Sequence, residues 1–332
     1  MKWVVFLVFL VVVACAAFFL ERASLESSYS AKERVSSNEI ERFLIEVKGR
    51  FVFVEGGRFL MGDFGLTHGE EGLPLDSKAH SKPLHEVVLS GYYIDKYKIT
   101  NEDFGFYLKA SGGAVRADVP GNFYLFRADP RLPARIDWFE AEKYCAWLAD
   151  ISHLPFSMAT EAQWEYAARS RGQFLMIATD DGTYRYQTSV DGEITGVNIS
   201  SSVDRKRFAE QSGWDSGGLT PMPVNSFPPN SLGIYSMSDN GREWVKDWYD
   251  PDYYKYAPLK DPQGPDRPMH HDYLGRQTKV MRGQPYADEF WTVGVNVHRF
   301  AVNPHSYLSD NETPILSGKT ARCVINSQES LH

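Results

Sequence analysis

The stretch SMSDNGREWVKDWYD, residues 236–250, sets two tryptophans, a tyrosine, four acidic and two basic residues around an Asn-Gly step. It is too irregular for a simple helix or strand. Large rings beside so many oxygen donors admit two readings: chemistry at a metal or an active site, or a rigid turn braced by the rings and N–H groups of Trp244 and Trp248. Which one holds depends on the chain around it.

With 332 residues, 43% apolar and 14% aromatic, the chain can bury a substantial core. Its formal charge is −8, and Lys and Arg are scattered rather than clustered, which excludes the electrostatic footprint of a nucleic-acid binder. The first residues differ in kind: Trp3 to Leu20 is a run of eighteen residues without a charge. That length just spans a bilayer core as a helix. The run also contains VVAC, ending at Cys15, which is similar to a bacterial lipobox whose cysteine would be lipidated; the apolar AAFFL that follows favours an uncleaved anchor. Residues 1–22 are therefore expected to be a signal anchor or lipoprotein signal peptide, and the polar residues 23–50 a tether. Everything after them is expected to be exported and held at the membrane, in a bacterial periplasm or on the cell surface.

From Phe51 the pattern is that of an ordered domain. FVFVEGGRFLMG reads as a hairpin turning at Gly56-Gly57, and HEVVLSGYYIDKYKIT as a second strand pair. Three helices start at capping boxes: Thr100 with Asp103, Asp137 with Glu140, and Thr160 with Gln163. Ala141, Tyr144, Cys145 and Leu148 form one apolar stripe on the middle helix. Beyond Arg169 long helical periodicity stops and Gly, Pro, Asn and Asp punctuate short runs. No linker or repeat interrupts residues 51–328, so a single domain is expected there.

The ordered series FVFVEGGRFLMG, HEVVLSGYYIDKYKITNEDF, DWFEAEKYCAWL, ATEAQWEYAAR, PVNSFPPNSLGIYSMSDNGREWVKDWY, KVMRG and ARC resembles the formylglycine-generating enzyme, or sulfatase-modifying factor, family. The resemblance covers roughly residues 51 to 325 and implies a single α+β, C-type-lectin-like domain of low regular secondary structure. It also implies a disulfide between Cys145 and Cys323. Sulfatase-activating members bind copper through two cysteines after the RGGSW-like motif. Here Arg282 to Tyr307 contains none, and the chain's other cysteine is Cys15, so no copper–thiolate site is expected.

The resemblance further implies structural calcium at two places: Asn240 and Glu243 in the opening stretch, and Asn198, Ile199 and Asp215 upstream. Arg242 stands where the signature has Trp, which leaves open a metal-free turn. Tyr286, Phe290, Trp291, His298 and Arg299 fall where the family builds its substrate groove, and Arg282 and Arg299 are expected to tie the late loops to the acidic NGREWVKDW region. His270, His271 and Asp272 in MHHDYLG, or His298 and His305 with Asp288 or Glu289, are the candidates for a redox metal; the default for each is a solvated or packed side chain. The favoured functional expectation is a binding or assembly module for a peptide, an envelope protein, a secretion apparatus or a secreted toxin, anchored to the membrane by its N-terminus. The alternative is a non-haem iron or copper oxidoreductase on the same fold.

Overall fold

Helix starts are set locally and form where the caps place them. The computed structural model describes residues 35–113, 129–214, 216–285, 295–305 and 318–331. Thr100, Asp137 and Thr160 each close a full capping box, heading α3 (Asn101–Ser111), α4 (Trp138–Ser152) and α5 (Glu161–Ala168). On α4 the stripe Ala141, Tyr144, Cys145 and Leu148 is buried throughout. Two helices come from caps outside that set. In the expected tether, Ser36 and Glu39 cap α1 (Ser37–Lys48), whose Phe43 stacks on Phe106 at 4.3 Å and whose Val47 is buried. The polar end of the tether is thus part of the domain. In the half expected to lack long helices, Ser201 and Asp204 cap α6 (Ser202–Gln211); only Arg205 and Ala209 are buried on it, so it carries no apolar stripe. A single turn, α2 (Gly65–His68), completes the α-helices among the described residues, beside short 3₁₀ turns at Ala79–Ser81, Gly217–Leu219 and Tyr253–Lys255.

Strand pairing departs from the two-hairpin reading. β1 (Phe51–Val54) pairs antiparallel with β4 (Tyr92–Asp95), while β2 (Gly57–Met61) pairs with β3 (His85–Leu89). Gly56 marks a close approach: a Cβ there would sit 2.4 Å from the Leu89 carbonyl oxygen. The first sheet is completed by β12 (Cys323–Ile325) and β5 (Phe156–Met158), in the order β1-β4-β12-β5. A small hairpin joins β6 (Tyr186–Thr188) to β7 (Ile194–Gly196). The last sheet runs β10 (Phe300–Val302), β9 (Lys279–Arg282), β8 (Arg242–Trp248), β11 (Lys319–Ala321), with β11 parallel to β8. Cys145 on α4 and Cys323 on β12 form a disulfide, fastening helix to sheet across 178 positions of sequence. Among the described residues no helix is long and apolar enough to cross a membrane; the anchor run and Cys15 lie outside them.

Candidate functional site

Helix α5 puts Glu161 and Glu165 one turn apart, so both carboxylates face the same side. Arg282, at the end of β9, reaches Glu161 at 2.7 Å and Glu165 at 2.8 Å. Arg299 closes on both Glu161 oxygens, at 2.6 and 2.9 Å, and Arg169 on Glu165 at 2.8 Å. All five groups are buried. Burial alone would raise Glu161, but Arg299 and Arg282 hold its carboxyl down to about 2. The guanidinium groups therefore pair with α5 and not with the acidic side chains of NGREWVKDW, while the backbone of Arg282 does lie against that stretch, opposite Glu243. Since Arg282 and Arg299 bracket residues 283–298, this network fixes both ends of the stretch expected to form the groove.

A second network, Glu243 with Lys98 and Arg322, occupies that acidic stretch itself. Lys98 Nζ donates to Glu243 Oε1 at 2.6 Å, Arg322 to both oxygens at 2.6 and 2.8 Å, and Trp164 Nε1 to Oε2 at 3.0 Å. These donors fill the carboxylate's four acceptor positions. Asn240 exchanges its amide with the Met222 backbone, accepting at 2.9 Å and donating at 2.7 Å. The side chains of Asn240 and Glu243 are thus committed to protein partners, and two cations supply the positive charge at Glu243. Arg242 lies over the Phe300 ring at 3.8 Å. Trp244 donates to the Ile136 carbonyl at 2.9 Å, and Lys279 is held between the rings of Trp138 and Trp248 at 3.9 and 3.8 Å. The stretch that opened the sequence reading is a braced turn and strand.

Asn198 accepts from the Arg185 N–H at 2.9 Å and donates to Asp180 and to the Thr183 carbonyl at 2.9 Å each. It lies with Ile199, Ser238 and Asp239 around a small cavity, and Arg205 pairs with Asp239 at 2.7 Å. Asp215 is outside the described residues, as are Tyr286, Asp288, Glu289, Phe290 and Trp291.

Next to Arg299 is a constellation that local spacing could not show. Arg299 Nη1 donates to the His80 carbonyl, and the His80 ring Nδ1 meets the Tyr249 hydroxyl at 2.5 Å. On its other side His80 Nε2 lies 3.2 Å from Asp76 Oδ2, bent out of hydrogen-bond alignment. Burial pushes the Tyr249 hydroxyl up to about 12, so it keeps its proton, and the His80 tautomer sets which partner donates. Burial opposes ionisation of Asp76, yet His80 and the Lys78 N–H hold its carboxyl well below the usual carboxylate range. His298 bonds the Leu75 carbonyl at 3.0 Å, and burial lowers its pKa. Asp63 fixes the same loop by accepting from the Gly65, Leu75 and Asp76 N–H groups. His270 bonds Thr278 at 2.9 Å, Asp272 closes a turn through the Leu274 and Arg276 N–H groups, and His305 packs on Phe139. Among the described residues no set of three His, Cys, Asp or Glu side chains can hold a metal ion.

Around this constellation lies an exposed apolar border. Leu66 and Leu73 are 58% and 60% exposed, and Phe174 and Met176 about 40%. Phe174 stacks on His68 at 3.9 Å and packs near Phe64, and the Met176 carbonyl accepts from the Asn296 N–H, two residues before His298.

A mixed helix-and-sheet domain whose loops are fastened by buried arginine–glutamate networks defines the class. The chain belongs to the sulfatase-modifying factor enzyme 1-like domain family, whose model matches residues 37–312. It is 30% identical over 256 residues to a formylglycine-generating enzyme of Streptomyces coelicolor, covering 64% of this chain and 74% of that one. It is 29% identical over 275 residues to the serine/threonine-protein kinase pkn1 of Chlamydia caviae, of which the match covers 37%, against 76% of this chain. Among solved structures, PvdO from Pseudomonas aeruginosa superposes with a TM-score of 0.56 at 24% identity, covering 83% of this chain and 93% of PvdO, which shows the shared fold.

Proposed function

We propose that this chain is an exported, membrane-tethered member of the family that makes no formylglycine and instead holds a protein or peptide partner in the cell envelope. One observation carries the reading. Of the three cysteines, Cys145 and Cys323 are joined to each other, and the third, Cys15, stands in the apolar N-terminal run. Copper chemistry of the kind the family uses needs two thiolates at one place. The apolar border of Leu66, Leu73, Phe174 and Met176, with Arg169 over the Phe174 ring, supplies adaptable contact area of the kind protein interfaces use.

The test is site-specific photo-crosslinking in intact cells, with the crosslinking residue at Leu66, at Phe174 and, as control, at the exposed Tyr273. The expected result is one envelope protein captured from both Leu66 and Phe174 and not from Tyr273. No adduct at either position, or the same adducts from Tyr273, overturns the proposal.

A further inference from the structure

A second site lies apart from the arginine networks. Where β3 turns into β4, beside the chain that leaves β12, the surface opens into a cleft of about 680 Å³. That lies within the roughly 300–1,000 Å³ of ordinary small-ligand sites. Its walls are hydroxyls, amides and carboxylates: Ser90, Gln163, Asp261, Gln263, Asn326 and Gln328, with Glu329 at one end.

The pattern of spent and unspent hydrogen bonds is specific. Gln163 donates to Asn326 Oδ1 at 2.8 Å and accepts from the Thr160 N–H at 3.0 Å. Asn326 donates to Ser157 at 2.9 Å, and Gln263 donates to the Asp261 carbonyl at 2.9 Å and accepts from Lys246 Nζ at 3.1 Å. Each of these amides carries two N–H donors and two lone pairs, so each keeps capacity for another partner. The Asp261 carboxylate is aimed by the Ser90 N–H at 2.7 Å and the Ser90 hydroxyl at 2.8 Å. Its backbone sits at φ +46°, a left-handed conformation that a non-glycine residue adopts at a cost. An aromatic pair stands beside Gly91 of the cleft wall. Phe53, 46% exposed, lies tilted 5.0 Å from Tyr93. It reaches over Gly91 of the cleft wall, where a Cβ would come within 2.8 Å of its ring.

Donors and acceptors interleaved at short range match groups that are both at once, namely vicinal hydroxyls. The rings of Phe53 and Tyr93 suit the C–H face of a pyranose. Asp261 and Glu329 bring negative charge, none of the described residues lining the cleft is cationic, and the nearby Lys246 Nζ is engaged by Gln263, which together disfavour phosphate, sulfate and uronate ligands. The lining is too polar for a lipid chain. We infer that this cleft binds an uncharged saccharide, with Asp261, Gln328 and the amides taking its hydroxyls and Phe53 its apolar face. The inference goes beyond the partner-holding reading and stands independently of it.

The test is saturation-transfer NMR and calorimetry on the full chain in a zwitterionic, non-glycosidic detergent. The probes are chitohexaose, maltoheptaose and cellohexaose, with a sulfated oligosaccharide, an oligolysine peptide and calcium chloride as counter-probes. Saturable binding of at least one neutral oligosaccharide is expected. It should weaken about tenfold in Gln328→Ala and in Asp261→Asn, the equilibrium equivalent of one lost hydrogen bond, and comparably in Phe53→Ala. Asn tolerates the left-handed conformation at 261, and Gln328 and Phe53 are exposed, so these variants are expected to fold; their melting temperatures check it. No binding of any neutral probe, binding unchanged in all three variants, or Asp261-dependent binding of only the peptide or calcium overturns the inference. Crosslinking from Leu66 reads the other site separately.

Discussion

Replacing Glu243 with glutamine keeps the shape of the side chain and removes one charge. In the native protein that carboxylate takes Lys98 at 2.6 Å and both arms of Arg322 at 2.6 and 2.8 Å, with all three side chains within 1% of full burial. Glu243→Gln strands two cations where water cannot reach them. Breaking one buried pair costs about 3–5 kcal/mol. Arg322 keeps the Asp95 and Tyr235 carbonyls and Lys98 keeps that of Gly241, so about 4 kcal/mol is the working figure. At about 2–4 °C per kcal/mol for a domain of this order, the melting temperature should fall by roughly 10 °C. The loss also has a pH signature. Burial, opposed by Glu243, already lowers Lys98 to about 8; without its anion the folded-state value falls further. Between that lower value and about 8 the unfolded variant binds more protons than the folded one, so its stability rises with pH relative to the native protein. The deficit should therefore narrow towards pH 8, then level off. Adding Lys98→Met should recover part of the loss at pH 7. A Glu243→Gln protein melting within about 2 °C of the native one would refute the claim that this network fastens the fold.

Two further outcomes follow from the same structure. Opening the disulfide with Cys145→Ser removes a crosslink spanning 178 positions, worth about 5 kcal/mol on the loop-entropy relation, and calorimetry with and without reductant should show the native protein, but not the variant, losing stability on reduction. Burial, aided by the charge of Glu161, pushes Asp247 up to about 7. Because its folded carboxyl holds its proton more tightly than the unfolded one, it costs stability as pH rises from about 4 to about 7. Asp247→Asn keeps an acceptor for the Glu161 N–H and should stabilise the protein in urea melts at pH 8, with a smaller gain at pH 5; an equal or larger gain at pH 5 would contradict the shift.

What was legible in the sequence follows range of interaction. The capping boxes at Thr100, Asp137 and Thr160 join residues three apart, and the stripe through Cys145 repeats within one helix; both formed as read. Strand partners were not legible: the turn chemistry of Gly56-Gly57 is equally that of a glycine admitting a neighbouring backbone, and sequence spacing cannot separate the two. The site shows the same division. Arg282 and Arg299 stood out as motif residues, but their partners lie 121 and 138 positions away. His80 and Tyr249 are separated by 169 positions, and nothing local marked either as the other's partner. Helix α6 escaped notice because a mostly solvated helix needs no apolar period; the Ser201–Asp204 cap was its one local sign. The family resemblance supplied one long-range pair, Cys145 with Cys323, which spacing alone could not.

The claim that this fold here works without thiol chemistry is tested most directly by supplying the reaction. The purified chain would be incubated with copper, oxygen and a sulfatase-derived peptide carrying its target cysteine, and the peptide read by mass spectrometry and by an aldehyde-specific probe. The account predicts a peptide whose cysteine is unconverted, with a formylglycine-generating enzyme as positive control. Catalytic accumulation of the aldehyde by the native chain would contradict it, and loss of that activity in Cys145→Ser or Cys323→Ser would place the oxidation on those thiols.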